Sequence, residues 1–246
     1  MNKGLYGLPK GRGMQTGLFS FPKSEFGNVV ASPHPPLDDY TAWWDAAHPD
    51  SLTLSGTDVT DWLDRSANDN DISGTSRPVY TTRYINQVPG VDFDGSTDRL
   101  HRLITVRRPY SLMLVAQTDT LANCTFLGGG GSNEILAITD ATGVLRNLSA
   151  GGATTSSKAV GIDVPFVAGI ACDLATNMRF WVNGSYQIIA TAAEQNGTEI
   201  AMGSRSSGAS AMFNGIMGEM FLFLRELSIG EMQLMEKYLR AKWHLS

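Results

Sequence analysis

The chain has 246 residues, of which 42% are hydrophobic and only 17% charged, with 26 glycines and a net charge of -5. Such a chain can bury a large core. Its acidic balance argues against a nucleic-acid surface, and no apolar run reaches the roughly 20 residues of a membrane-spanning helix.

Residues 1–36 stand apart in composition. Gly4, Gly7, Gly11, Gly13, Gly17 and Gly27 punctuate the segment, and it ends in Ser-Pro-His-Pro-Pro, a poor setting for regular structure. Leu5, Tyr6, Leu8, Leu18, Phe19, Phe21 and Phe26 are spread through it, more aromatic content than a solvated tail carries. The expectation is an extended arm that docks on a partner through Leu5, Tyr6, Leu18, Phe19, Phe21 and Phe26. The alternative is an arm folded back on its own domain. The first residues lack the apolar run of a signal peptide.

From about residue 40 to 227 the pattern is strands and turns. Residues 110–117, 134–139 and 166–174 read as buried strands. Residues 178–190 predict a hairpin: Phe180 and Val182 alternate with Arg179 and Trp181, Asn183-Gly184-Ser185 supplies the tight turn, and Tyr186 to Ile189 return. Residues 213–227 are the longest strand signal, apolar on both parities in the middle and therefore covered on both faces. At Ser228 the period changes. Ser228 and Glu231 form a capping-box pair, Met232, Met235, Leu239 and Trp243 recur at three and four residues, and Lys237, Arg240 and Lys242 lie toward the C-terminal end. One terminal helix near 228–242 is predicted.

Several residues invite a chemical reading. Cys124 and Cys172 sit in apolar stretches and read as two buried free thiols rather than a disulfide. The N-x-S/T triplets at Asn123, Asn147, Asn183 and Asn196 read as accidents of an Asn/Ser/Thr-rich β protein. Trp62, with Val59 and Leu63, reads as core. Trp181 shares its strand face with Arg179 and Asn183, so these three form a candidate carbohydrate site: a ring to stack on a sugar and polar neighbours for its hydroxyls. Asp64, Asp69, Asn70 and Asp71 are the densest oxygen cluster. Calcium takes six to eight such ligands, but turn formation by Asx side chains is the commoner use, and no metal or other cofactor is assigned. His34, His48, His101 and His244 are scattered without ligand spacing.

The segment WWDAAHPDSLTLSGTDVTDWLDRSANDND is followed by RPVY at 77–80 and VPGVDFDGSTDRL at 88–100, and the chain closes on FNGIMGEMFLFLRELSIGEMQLMEKYLRAKWHL. Over residues 40–246 this order resembles the laminin-G-like branch of the concanavalin A-like lectin/glucanase superfamily, in the form common in bacteriophage virion proteins. A Ser-Gly-Asn-Gly-Asn loop of that pattern is here Ser66, Ala67, Asn68, Asp69 and Asn70. The loss of two glycines implies a different, more negative loop.

The resemblance implies an all-β jelly-roll sandwich of two antiparallel sheets over residues 37–246, with a C-terminal helix and the extended N-terminal arm. It also implies that the strand carrying Trp43 and Trp44 pairs with the last long strand. One Trp is then core and the other packs under the helix near Trp243, with a sugar platform as the alternative. Enzymes of this superfamily carry a Glu-x-Asp-x-(x)-Glu strand, and none occurs here. Glu219 stands alone, with Glu226 the nearest acid, so no catalytic residue is assigned and no enzyme is expected. The function expected is a non-enzymatic phage virion protein in a tail or head, made in the host cytoplasm and attached through the arm to other virion proteins. It would be a homo-oligomer or multicopy component, without nucleic acid or membrane insertion. The first alternative is a module that binds a host surface glycan, and the second a glycan-cleaving enzyme.

Overall fold

A computed structural model describes residues 34–131, 133–138, 141–149, 152–190, 196–206 and 210–246. Residues 1–33 lie outside these, and with them every arm residue named above. The strands are β1 (Ala42–Asp45), β2 (Leu52–Ser55), β3 (Asp58–Trp62), β4 (Ile72–Ser73), β5 (Val79–Ile85), β6 (Val88–Asp94), β7 (Leu100–Arg102), β8 (Val106–Arg107), β9 (Tyr110–Thr118) and β10 (Cys124–Gly130). They continue as β11 (Asn133–Ile138), β12 (Val144–Ser149), β13 (Gly152–Ala159), β14 (Phe166–Cys172), β15 (Asn177–Val182), β16 (Ser185–Ala190), β17 (Asn196–Gly197), β18 (Ile200–Met202) and β19 (Asn214–Phe223), followed by helix α1 (Ile229–Lys242).

The architecture is all-β and antiparallel with one C-terminal helix, as expected. One layer runs β19–β9–β14–β15–β16, with β6 and β1 sharing the other edge of β19. The second runs β3–β4–β7–β18–β10–β11–β12–β13. Their inner faces meet. Phe126 of β10 packs edge-on to Phe166 of β14, with ring centroids 5.8 Å apart. The Asn147 amide of β12 donates to the Tyr110 hydroxyl of β9 at 2.9 Å. Trp44 and Trp62 are fully buried, and Cys124 and Cys172 are buried free thiols whose pKa burial pushes up to about 12. No helix of the described residues is long and apolar enough to cross a membrane.

Helix α1 covers the outer face of the first layer. Both halves of its capping box form: the Ser228 hydroxyl accepts from the Glu231 backbone N–H at 3.2 Å, and the Glu231 carboxylate accepts from the Ser228 N–H at 2.8 Å. Beneath the helix, cross-strand partners form one row: Trp43, Phe221, Met113, Gly169, Trp181 and Tyr186. Partners directly opposite share a sheet face. The two adjacent tryptophans therefore part, Trp44 inward to the core and Trp43 outward beneath the helix, with Trp43 stacked on Phe221 at 5.6 Å.

The far end of α1 is held by a buried polar clasp. Glu219 Oε1 accepts from the Trp43 indole at 2.7 Å and the Tyr238 hydroxyl at 2.9 Å, and Oε2 from the Trp243 indole at 2.8 Å. Lys242 Nζ lies 2.9 Å from Glu219 and 2.7 Å from Asp45. Glu219 is thus not alone: Asp45 is its cross-strand partner. Burial, then the Asp45 charge, pushes the Glu219 carboxyl upward, against the pull of Lys242 and the Trp243 indole. Sealed from solvent and sharing one ammonium, the two carboxylates fasten the helix to the sheet.

Candidate functional site

The structure corrects the sequence reading of Trp181, which is fully buried and cannot meet a ligand. Its neighbours on that face are polar, but the face is roofed by α1, and the indole donates to Glu236 of the helix at 2.9 Å. Arg179 is likewise a tie. Its guanidinium donates to the Leu227 carbonyl at 2.8 Å and pairs with Glu226 at 3.3 Å, which holds the entry to the helix. Asn183 begins the predicted turn. Asn183 and Gly184 have φ of 46° and 78°, the left-handed pair of a two-residue hairpin, and the Asn183 carboxamide accepts from the Val167 N–H at 2.9 Å. Asn183 is exposed and lines a cleft, so of the three candidates it alone reaches solvent as a site residue.

What Trp181 lacks, its cross-strand partner supplies. Tyr186 stacks on Trp181 with centroids 5.5 Å apart and planes 5° from parallel, and it is 40% exposed. It is the solvent end of the aromatic row, with Ile188 two residues along the same face. The buried Trp181, pinned by Glu236, leaves the Tyr186 ring little freedom. A rigid ring open to solvent can take the C–H face of a sugar without a large ordering cost. A signal for this residue was present in the sequence, since a two-residue Asn-Gly turn sets Trp181 opposite Tyr186, but which ring reaches solvent depends on the helix.

Two clefts lie along helix α1, and one of them reaches the hairpin at Asn183. One of about 290 Å³ is lined by Gln233, Glu236, Lys237 and Arg240. The other, of about 400 Å³, is lined by Asn86, Asn183, Arg240 and His244 with Val164 and Pro165. They share Arg240. Gly184 ties the turn to the helix, since a Cβ there would lie 3.5 Å from a Glu236 carboxylate oxygen. Glu236 is mostly consumed by Trp181 and by Arg240, the latter at 3.3 Å. Asn86 spends its carboxamide N–H groups on the Trp243 and His244 carbonyls at 3.1 and 3.0 Å, so the donors left for hydroxyl or carboxylate oxygens are Gln233, Asn183, Lys237 and the rest of the Arg240 guanidinium. Lys237 and Arg240 were read only as charges complementing the helix dipole, because their place beside the hairpin depends on how the helix docks.

The oxygen-rich loop at 64–71 is a folded turn. Asp64 accepts from the N–H groups of Trp43, Ser66 and Asn70 at 2.8–2.9 Å, and Asp71 accepts from the Asp64 N–H at 2.8 Å. The two lost glycines do not abolish the tight backbone expected of such a loop: Asp69 takes a left-handed φ of 52°, a region Asp tolerates better than most residues. Among the described residues no three His, Cys, Asp or Glu side chains gather as a metal-ligand set.

No protein-family model matches the chain, and no curated protein matches it in sequence. Solved structures do resemble it. Domain 4 of an extracellular arabinanase from Geobacillus stearothermophilus, in complex with arabinotriose, superposes with a TM-score of 0.58 at 13% identity, over 80% of this chain and 98% of that one. Trypanosoma rangeli sialidase in complex with sialic acid gives 0.57 at 15% identity, over 87% of this chain and 35% of that one. The ligand binding domain of botulinum neurotoxin serotype D, in complex with N-acetylneuraminic acid, gives 0.57 at 12%, over 81% and 51%. The chain therefore spans about a third of the sialidase and half of the neurotoxin domain. At these identities the likeness establishes the fold. It also corrects one expectation. The structures that share this fold include a sialidase and a domain of an arabinanase, so the missing acid-bearing strand is no ground for excluding an enzyme.

Proposed function

We propose that this chain is a carbohydrate-binding module that takes a glycan on the Tyr186 ring and the two clefts that share Arg240 of helix α1. The observation that carries the reading is the Tyr186–Trp181 stack, an aromatic surface open to solvent and joined through the Trp181 indole to Glu236 of the cleft-bearing helix. The complexes of the similar folds with arabinotriose, sialic acid and N-acetylneuraminic acid support it. They favour the glycan-binding alternative over the virion role and offer that role no support. In the proposed complex the sugar ring lies on Tyr186, while Lys237, Arg240, Gln233 and Asn183 meet its oxygens.

The full chain applied to an array of immobilised glycans should bind a defined subset. Titration of a bound glycan by calorimetry should then show Tyr186→Ala weaker by at least about tenfold, as expected for an aromatic that anchors an interface. Unchanged affinity in that variant would place the site elsewhere. Binding to no glycan would remove the reading.

A further inference from the structure

The second layer carries a groove that none of the preceding roles uses. Asp61 of β3, Ser73 of β4 and His101 of β7 are successive cross-strand partners. Trp62, Ile72 and Leu100, their neighbours in sequence, are fully buried on the inner face. The alternation of strand side chains therefore sets Asp61, Ser73 and His101 in one row on the outer face. With Thr60, Thr75 and Arg77 they line a groove of about 310 Å³ on the layer opposite Tyr186.

The groove's hydrogen-bonding capacity is largely unspent. Among the described residues, the side chains of Ser73, Thr75, Arg77 and His101 make no hydrogen bond or ion pair, and Asp61 accepts only from the Thr60 hydroxyl at 2.8 Å. A carboxylate with free lone pairs takes two adjacent hydroxyls at once. The guanidinium, the imidazole and the Ser and Thr hydroxyls can complete the oxygens of the same ligand. The Asp61 charge disfavours a phosphate, and no Phe, Tyr, Trp, Leu, Ile, Val or Met lines the groove to hold an apolar group. We propose that the groove between β3, β4 and β7 is a second binding site, for the vicinal diol of a sugar held by its hydroxyl edge rather than its ring face. The ligand class is that of the reading above, but the site rests on different residues.

Two-dimensional amide NMR of the full chain, titrated with the methyl glycosides of mannose, galactose and glucose, tests it. At least one glycoside should shift the amides of Ser73, Thr75 and His101. Asp61→Asn should weaken that response at least about tenfold, since it removes a charged acceptor, and leave any response at Tyr186 unchanged. Tyr186→Ala should leave the groove response intact. Shifts at Tyr186 with none in the groove would overturn this proposal and leave the first site standing. Groove shifts with none at Tyr186 would do the reverse. Groove shifts equal in Asp61→Asn would overturn the proposal as well.

Discussion

Asp98 is 7% exposed, and one of its carboxylate oxygens accepts the Asp94 N–H at 3.0 Å. Burial pushes its pKa up to about 6, with the Asp94, Asp92 and Asp58 charges adding to the rise and the backbone hydrogen bond opposing it. A carboxyl whose folded pKa exceeds its unfolded value of roughly 4 holds its proton better in the folded state. Its contribution is therefore fully present below about pH 4 and is lost as pH rises through about 6. Urea midpoints of wild type and Asp98→Asn, compared from pH 4 to 7, should diverge, with the wild type losing stability relative to the variant. Parallel profiles would contradict this. At this scale much was legible. Trp62, Trp243 and the two cysteines fall where apolar patterning puts them, and Trp43 and Trp44 divide between helix and core, a split expected without saying which ring goes where. Trp181 did not, because alternation with Arg179 and Asn183 identifies a shared face but not what covers it. Glu219 was read as standing alone because Asp45 reaches it only through the register of distant strands.

The helix was legible as an element, with its cap, stripe and length all local signals. Its docking was not, since Glu219, Asp45 and Lys242 meet only in the folded chain. Trp243 is buried with its indole on Glu219 and its ring against Gly218, where an added Cβ would come within 2.6–2.8 Å of ring carbons. Two substitutions probe this contact from opposite sides. Trp243→Ala should cost about 3–5 kcal/mol by emptying the site. Gly218→Ala should cost about 1–3 kcal/mol by overfilling it. Chemical denaturation measures both, and an unchanged midpoint in Trp243→Ala would show the helix to be a loose appendage. Lys242→Met leaves two buried carboxylates without their ammonium and should cost about 3–5 kcal/mol in the same assay.

For the whole molecule, the antiparallel sandwich was legible from period-2 patterning, from turns such as Asn183-Gly184, and from the resemblance of residues 40–246. The ligand surface was less so. Sequence patterning singled out Trp181 on this hairpin, yet Trp181 is buried and Tyr186 exposed, because the exposed aromatic is decided by a helix that arrives some 40 residues later. The second-layer groove was invisible: His101 was read as scattered, and Asp61 and Ser73 drew no reading at all. Shared fold does not carry function, so the glycan reading stands on Tyr186 and its clefts. The most direct test is a crystal structure of the full chain with a glycan that it binds on the array. A sugar ring should lie on Tyr186, with its oxygens meeting Lys237, Arg240 or Asn183. A glycan bound elsewhere, with the Tyr186 ring bare, would contradict it.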